Sequence, residues 1–542
     1  MPHDPVIELL AHAAEVLEAE FGDLPAFAAE LGVGSEAMAQ VLEETAHRLG
    51  DNYPYFHPLY AGQMLKPPHP VARAAYALAM KLNPNNHALD GGRASSAMEV
   101  EAVREIAAMF GWKEYLGHLT SSGTFANLEA LWMAGQVGEG QGTKGLGAKG
   151  LGAKVLGAKG LGTRVRKRIV GSSQAHYTHQ RISGVLKIEF ASVAADGCGR
   201  MRLDALEDEL RKGDVGTVVA TLGTTAMGAV DPLDEILALA GRYGARVHVD
   251  AAYGGYFGLI ADVLEEPVRR AYAVMGAADS IVIDPHKHGL QPYGCGCVLF
   301  RDPAVGRFYK HDSPYTYFTS KQLHLGEISL ECSRAGAAAV ALWATQRLLP
   351  LTTDGAFAEG LRKGRRAALE LDRRVRSDGR FIGLGSCVPG SQKRDPGHPN
   401  SSDSTDPAYV PRSPNARDRG HPHPPESKSG NAGHPPDLDI VVWATLHAAD
   451  PRKASEALRA ADFRTASEQA RKVFDACARR GLHLALVQLP GSWFGARGDA
   501  ENDGDSITCL RSVLMKPEHE AWMDEIWERL SAACDEGTGN RD

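Results

Sequence analysis

Residues 280–290 read Ser-Ile-Val-Ile-Asp-Pro-His-Lys-His-Gly-Leu and join a short apolar run to a basic residue. The β-branched residues 281–283 predict a buried strand, which Asp284-Pro285 ends. Lys287 follows this break, where an unpaired buried ammonium group would be heavily penalised. Such a lysine either reaches solvent, as most lysines do, or supplies the desolvated amine that a carbonyl cofactor needs for a Schiff base. Other parts of the chain must decide between these two interpretations.

The composition is that of a globular protein with a large core. The chain has 542 residues, a formal net charge of −8 and 43% hydrophobic residues, which predicts two or three domains. Its mild acidity argues against a general role on nucleic acids or membrane surfaces. No apolar run approaches the roughly 20 residues of a membrane span, and the N-terminus shows no secretion signal. We therefore expect a cytoplasmic protein without nucleic-acid or membrane partners.

The eight cysteines are scattered along the chain, which predicts neither a disulfide framework nor a zinc site. Only Cys295 and Cys297 lie close together. In a strand over 294–300 they would point to the same face, because side chains alternate along a strand. We expect them to be reduced and buried, and we predict no metal site.

Helical periodicity dominates the N-terminal part of the chain. Residues 1–90 predict a helical segment. A further amphipathic helix is predicted near 95–111, with Glu99, Glu101 and Glu105 on its polar side. These three carboxylates are therefore expected to face solvent.

Short apolar runs alternate with amphipathic segments in the middle of the chain. The runs predict strands at 168–171, 188–193, 217–222, 246–251, 280–283 and 294–300. This alternation predicts an α/β domain over 91–350, with a mixed, mostly parallel sheet flanked by helices. Ligands of such sheets bind at the carboxyl ends of the strands, which is where Lys287 lies.

The remaining part, 351–542, predicts a smaller α+β domain, preceded by a helical pattern over 326–349. Its strands are expected near 438–444, 483–489 and 506–515. Two stretches do not fit either domain. Residues 142–163 repeat Gly-Leu-Gly-Ala-Lys, which predicts a solvated surface loop, with a basic binding arm as the alternative. Residues 390–437 are rich in Pro, Ser, Asn, Gly and His and predict a disordered insertion.

Polar motifs follow the ends of several predicted strands. Thr120-Ser-Ser-Gly-Thr-Phe-Ala-Asn127 precedes a helix, and its open backbone N–H groups and hydroxyls suit a phosphate group. Turns of this composition also occur for conformational reasons alone. His248-Val-Asp-Ala-Ala-Tyr-Gly-Gly255 places Asp250 at the end of a buried strand, where it either pairs with a protonated ring nitrogen or caps a helix. Ala252 is small enough for a flat ring to rest against it.

Two further motifs have the same placement. Ser173-Gln-Ala-His-Tyr-Thr-His179 puts His176 after a strand, where it either stacks on a heteroaromatic ring or is a satisfied core residue. Thr221-Leu-Gly-Thr-Thr225 adds hydroxyl groups after another strand. A phosphate turn, a histidine, hydroxyls, an aspartate and a lysine thus all fall at strand ends, in that order.

This combination resembles the pyridoxal-phosphate-dependent group II amino-acid decarboxylases of the aspartate-aminotransferase-like, type I fold. The matching motifs are Ser-Gln-Ala-His176, Ala-Thr-Leu-Gly-Thr-Thr225, His-Val-Asp-Ala-Ala-Tyr-Gly-Gly255 and Asp-Pro-His-Lys287. The resemblance implies decarboxylation of an L-amino acid, aromatic or acidic, to its amine and CO2 by a homodimer with pyridoxal 5'-phosphate. Another carbon–carbon lyase or an aminotransferase on the same fold is the alternative.

The resemblance also implies roles for individual residues. Lys287 would hold the cofactor as a Schiff base, His176 would stack on its ring, and Asp250 would pair with the ring nitrogen. The remaining cofactor-binding positions implied are Ser122, Gly123, Thr124, Thr225, Ala252 and His286.

Some positions depart from the family pattern or have no fixed role. Asp284 stands where decarboxylases of aromatic amino acids usually have asparagine, and in this it looks more like the archaeal tyrosine/aspartate decarboxylases. Phe125 stands where the family often has glutamate. In the family a mobile-loop tyrosine protonates the carbanion, and Tyr315 or Tyr317 is the candidate here. Arg334 is expected either to hold a carboxylate near the ring or to form a structural salt bridge.

Overall fold

The structure is a computed structural model that describes residues 6–25, 32–140, 168–310, 324–384, 434–445, 463–494 and 506–538. The repeat over 142–163, residues 390–433, Tyr315 and Tyr317 lie outside these ranges. Residues 434–437, the end of the predicted insertion, lie inside them. There Asp437 is buried and accepts hydrogen bonds from Arg200 Nε (3.1 Å) and Val230 N (2.9 Å).

In the part of the chain that the structure describes, four helices precede the first strand. They are α1 (Val6–Ala19), α2 (Ser35–Leu49), α3 (Pro70–Met80) and α4 (Leu89–Met109). Proline at the first position and His69, whose side chain accepts a hydrogen bond from Val71 N, fix the start of α3. Within α1 and α2 only Val6 is buried. Helix α1 packs against α3, and apolar side chains such as Leu9, Val16, Val41 and Leu42 are exposed.

A seven-stranded sheet forms the centre of the large domain. Its strands are β1 (Leu116–Thr120), β2 (Arg168–Ser172), β3 (Phe190–Val193), β4 (Val215–Thr221), β5 (Arg246–Asp250), β6 (Ser280–Ile283) and β7 (Gly296–Phe300). The spatial order is β1-β7-β6-β5-β4-β2-β3, and only the pairings of β7 are antiparallel. The predicted mixed, mostly parallel sheet is confirmed.

Helices connect these strands and cover the sheet. They are α5 (Gly123–Gly140), α6 (Thr178–Leu186), α7 (Leu203–Arg211), α8 (Leu233–Tyr243) and α9 (Glu266–Ala273). In the register of the sheet, Thr221 pairs with Asp250, and Asp250 pairs with Val282. The carboxyl ends of β4, β5 and β6 therefore lie side by side, which brings the motifs that follow them to one edge.

The chain then forms a second unit around a four-stranded antiparallel sheet in the order β10-β11-β9-β8. Helix α10 (Gly336–Leu348) comes before this unit and packs against α3 and α4. The elements of the second unit are α11 (Ala356–Ser377), β8 (Phe381–Gly383), β9 (Ile440–Thr445), α12 (Phe463–Arg479), β10 (Ala485–Pro490), β11 (Ser506–Val513) and α13 (Met523–Thr538). The helix predicted over 326–349 begins only at Gly336. Before it, the backbone of Arg334 bonds to the loop at Asn85 and Asn86, which prevents a continuous helix.

Four side chains test the expectations from the sequence. Glu99 does not face solvent: it is buried and forms an ion pair with Arg334 Nη1 at 2.8 Å. Cys295 and Cys297 are free and buried, as predicted. Cys198, in contrast, is disulfide-bonded. Among the helices in the described ranges, none is both long enough and apolar enough to cross a membrane.

Candidate active site

The strand ends of the large sheet enclose a cavity of about 200 Å³. All nine positions that the resemblance assigned to the cofactor line this cavity, and they are Ser122, Gly123, Thr124, His176, Thr225, Asp250, Ala252, His286 and Lys287. Six further residues line the cavity and come from the same strand ends or the segments that follow them: Asn127, Thr178, Thr221, Gly223, Tyr253 and Asp284. The structure thus brings residues 165 positions apart in sequence, from Ser122 to Lys287, into one site.

Lys287 lies in the turn that follows β6 and points into the cavity. Its backbone N–H donates to Asp284 O (2.9 Å), which closes the turn, and its Nζ lies 3.2 Å from Asp284 Oδ2. The same carboxylate oxygen is 3.5 Å from His286 Nε2, while Asp284 Oδ1 is buried without a hydrogen-bond partner among the described residues. Asp284 therefore holds the lysine side chain in the cavity rather than only ending the strand.

The turn before α5 and the first residues of this helix line the cavity. Ser122 Oγ accepts a hydrogen bond from Phe125 N (3.3 Å), and Thr124 Oγ1 accepts one from Thr178 Oγ1 (3.3 Å). A Cβ atom at Gly123 would come within 2.5 Å of Asp284 Oδ2, so only glycine fits at this position. Free backbone N–H groups at a helix start favour an anion.

Asp250 has a partner that the sequence did not single out. His179 Nε2 lies 2.8 Å from Asp250 Oδ2, and both side chains are buried. The other oxygen, Oδ1, accepts the N–H of Ala252 at 3.1 Å. Burial raises the pKa of a carboxyl group, but the hydrogen bond and charge of His179 and the charge of Lys287 outweigh it and hold the pKa of Asp250 well below its usual range.

A second buried chain of hydrogen bonds ties the turn before α5 to strand β5. Asn127 Nδ2 donates to Gly123 O (2.9 Å), while Asn127 Oδ1 lies 2.8 Å from His248 Nε2. The other ring nitrogen of His248 is 2.9 Å from Ser280 Oγ. Burial lowers the pKa of His248 to about 3, so its ring is neutral and serves as a spacer between the two elements.

A comparison with known families identifies the chain. The model of the family described as "pyridoxal-dependent decarboxylase conserved domain" matches residues 53–384, more than half of the chain. The chain belongs to this family. Its cofactor is therefore pyridoxal phosphate.

Individual members of the family are distant. The L-tyrosine decarboxylase of Enterococcus faecium is 29% identical over 393 residues, which are 59% of this chain and 64% of that protein. A probable L-tyrosine/L-aspartate decarboxylase of Methanoculleus marisnigri is 28% identical over 307 residues, 57% of this chain and 74% of that one. This chain thus spans just under two thirds of the length of the Enterococcus tyrosine decarboxylase that it matches.

Solved structures of decarboxylases share the fold. Oryza sativa TDC with PLP and tryptamine superposes with a TM-score of 0.67 at 17% identity, covering 99% of both chains. Catharanthus roseus tryptophan decarboxylase in complex with L-tryptophan gives a TM-score of 0.64 at 16% identity, covering 98% of this chain and 96% of that one. At such low identity the likeness establishes the architecture alone.

The polar groups that line the cavity of this decarboxylase-family chain suit pyridoxal phosphate. The helix start at Ser122–Thr124 suits the phosphate, the ionised Asp250 suits a protonated ring nitrogen, and Lys287 supplies the amine for attachment. His176 lines the cavity; burial lowers the pKa of its ring, and its Nδ1 accepts the N–H of Thr178 at 3.3 Å.

Arg334 is a structural residue by its contacts. Its Nη1 donates to Glu99 Oε1 (2.8 Å) and to Leu119 O (2.6 Å) at the end of β1. This ion pair supports the structural alternative left open by the sequence. Tyr315 and Tyr317 lie outside the described residues, so the structure does not place either of them.

The second unit also reaches the site, through a residue without any sequence signal. Arg511 of β11 donates to Thr225 O (2.8 Å), Ala226 O (3.1 Å) and Gly62 O (3.0 Å). The bonds to Thr225 and Ala226 fix the loop that carries Thr225 into the cavity, and the bond to Gly62 ties β11 to the connector before α3. Arg511 lies within strand β11. Its bonds to the loop at Thr225 form only because the two units pack together.

Proposed function

We propose that this protein decarboxylates an L-amino acid to the corresponding amine and CO2. The observation that carries the proposal is the convergence of Lys287, Asp250 and His176 in one cavity, in a chain of the pyridoxal-dependent decarboxylase family. Bound pyridoxal phosphate supplies the electron sink that stabilises negative charge at the substrate Cα. The protein contributes position and electrostatics.

Each residue has a defined task in this proposal. Lys287 carries the amine to which the cofactor attaches, and Asp284 holds that amine beside the cavity. Asp250, kept ionised by His179, holds a proton on the ring nitrogen of the cofactor. His176 and Ala252 both line the cavity and would border the ring of the cofactor, which would help to orient the bound substrate.

The substrate is proposed to be an aromatic or acidic L-amino acid. Support comes from the relatives named L-tyrosine decarboxylase and probable L-tyrosine/L-aspartate decarboxylase. Asp284 stands where decarboxylases of aromatic amino acids usually carry asparagine. At this position the chain looks more like the archaeal tyrosine/aspartate decarboxylases, which supports a substrate of that class.

The decisive experiment replaces the attachment amine. In Lys287→Ala we expect amine and CO2 production to fall to background, and the visible absorbance of the cofactor-loaded protein to be lost. Lys212→Ala, an exposed lysine on α7 that pairs with Glu209, serves as the control and is expected to keep both. An unchanged visible spectrum in Lys287→Ala would refute the assignment.

The same assay separates decarboxylation from the alternative reactions. The purified protein is incubated with each common amino acid, with and without an added 2-keto acid as amino-group acceptor, and CO2 is measured together with the new keto acid. CO2 with a stoichiometric amine supports the proposal. Keto acid without CO2 would identify an aminotransferase instead.

We further propose that the protein acts as a cytoplasmic homodimer, without nucleic-acid or membrane partners. In the described part of the chain, α1 and α2 carry exposed apolar side chains that a second copy would cover: Ile7, Leu9, Val16, Val41, Leu42 and Leu49. We expect sedimentation equilibrium to give twice the mass of the chain. The double variant Val41→Glu/Leu42→Glu should shift it toward the monomer, whereas a wild-type monomer would contradict the proposal.

A further inference from the structure

A second cavity, larger than the first, lies on the other side of the catalytic turn. Its volume is about 340 Å³, and it is bordered by the connector before α3, the start of α11 and residues 516–518. Its polar lining residues are Lys66, His69, His288, Lys516 and Glu518. No step proposed for decarboxylation uses these groups.

The two lysines are held close together without a direct counter-ion. Lys66 Nζ donates to Met515 O (3.2 Å), and Lys516 Nζ donates to Tyr60 O (2.5 Å). Neither amine forms an ion pair with a carboxylate of the described residues. Lys516 is 3% exposed, and an ammonium at such a depth is costly unless an anion neutralises it.

The surroundings of Lys66 and Lys516 disfavour the charged form of both amines. Burial lowers the pKa of Lys66 to about 8 and of Lys516 to about 7, and the charge of Lys66 contributes to the second shift. The carboxylates of Asp439 and Glu518 oppose these shifts only in part. Asp439 is already engaged, because it accepts a hydrogen bond from Tyr253 Oη at 2.6 Å.

His288 adds a buried polar group that faces the same cavity. Its ring is 1% exposed, and neither ring nitrogen has a hydrogen-bond partner within the described ranges, although Nε2 lies 3.4 Å from Asp439 Oδ2. Burial and the charges of Lys66 and Lys287 lower its pKa, so the ring is neutral and can donate one hydrogen bond. Buried polar groups of this kind ordinarily have a partner.

The rest of the lining is apolar. Pro67, Leu290, Leu349, Phe357 and Leu361 form the walls around the two amines. We propose that this cavity binds a small organic carboxylate, with its anionic group on Lys66 and Lys516 and its apolar body against these walls. The proposal does not depend on the decarboxylase activity.

The test uses the cofactor-loaded full-length protein and three probes. Calorimetric titration with 3-phenylpropanoate is expected to show binding, whereas 3-phenylpropan-1-ol, which lacks the charge, and inorganic phosphate, which lacks the apolar body, should bind at least about tenfold more weakly. Because an anion raises the pKa of both lysines, binding near pH 7.5 should take up protons, seen as a heat that depends on the buffer. Equal binding of phosphate would overturn the assignment of an organic ligand.

Substitutions of single lysines test where 3-phenylpropanoate binds. Lys66→Met and Lys516→Met should each weaken 3-phenylpropanoate binding at least about tenfold, because each removes one charge-assisted contact. Lys363→Met, an exposed lysine on α11, should leave it unchanged. Lys287→Ala should also retain it, which separates this cavity from the catalytic one. Binding that is lost in Lys287→Ala but kept in both Met variants would refute the proposal.

A measurement on the wild-type chain avoids the effects of substitution on folding. Limited acetylation followed by mass spectrometry reports the reactivity of each lysine. Saturating 3-phenylpropanoate should slow the acetylation of Lys66 and Lys516 and leave that of Lys363 unchanged. Equal rates with and without the ligand would contradict the proposal.

Discussion

At the scale of single residues, the environment of Asp250 shows how a carboxylate is prepared for a cofactor. A buried aspartate at a strand end would ordinarily become neutral. Here His179 Nε2 and the N–H of Ala252 each bond to one of its oxygens, which stabilises the charged form. His179 is thus a positioning residue: it acts on the cofactor through Asp250.

Removing the partner of Asp250 should therefore weaken cofactor binding. We expect His179→Leu to reduce pyridoxal phosphate affinity about 10–100-fold, the range found when a supporting contact behind a ligand is lost. His179→Gln, which retains an N–H donor, should recover most of it. Titration of the apoprotein followed by visible absorbance measures both.

The spectrum distinguishes this role from a merely structural one. In His179→Leu the absorbance of the bound cofactor should change with pH at a lower pH than in the wild type, because Asp250 holds the ring proton less firmly. Equal affinity and equal pH profiles in wild type and His179→Leu would show that His179 only fills space.

At the scale of elements, the start of α5 depends on close packing against the catalytic turn. A side chain at Gly123 would collide with the carboxylate of Asp284, which also contacts Lys287 and His286. Gly296 on β7 has a similar constraint, since a Cβ there would lie 2.6 Å from the carbonyl carbon of Ser122. Two glycines thus allow the phosphate turn, β7 and the lysine turn to pack together.

Gly123→Ala should separate the two turns and lower cofactor affinity by at least about tenfold, while the protein remains folded. Asp284 is buried and cannot move away without losing its contact with Lys287. Gly241→Ala on α8, where a Cβ would meet no atom within 4 Å, is the control and should bind the cofactor as the wild type does. Fluorescence titration measures the affinity, and circular dichroism verifies the fold. Wild-type affinity in Gly123→Ala would contradict the packing argument.

At the scale of the whole molecule, buried basic side chains lie at the junction between the two units, among them Arg511 and Lys516. Arg511 bonds to the loop at Thr225 and to the connector at Gly62, and Lys516 bonds to Tyr60 of the same connector. The two units and the connector therefore form one body, and its stability should depend on the protonation of these groups.

The pH dependence of unfolding follows from Lys516. Its pKa is about 7 in the folded chain and about 10.4 when exposed after unfolding. Between these values the unfolded state binds more protons, so raising the pH favours the folded state by at most about 1.4 kcal/mol per unit. The free energy of unfolding is measured by urea titration between pH 7 and 10. In Lys516→Met it should rise less steeply with pH than in the wild type. Parallel slopes would contradict this, and Lys363→Met is the control.

The sequence by itself determined the α/β architecture and most of the catalytic cavity. Strand periodicity placed the polar motifs at strand ends, and the carboxyl ends of neighbouring parallel strands meet at one edge of a sheet. The roles of the individual residues came from the resemblance to the decarboxylase family. Lys287, Asp250, His176 and the turn at Ser122 were therefore predictable as one group, before any contact between them was known.

Only the tertiary structure revealed the partners of these residues. His179 is one of two histidines in its motif, and nothing local indicates that its ring meets Asp250 across 71 positions of sequence. Glu99 looked like a solvent-facing residue until Arg334, 235 positions away, approached it. The second cavity likewise combines three distant segments. Long-range pairing depends on how the elements pack, and residue type and periodicity carry no information about that packing.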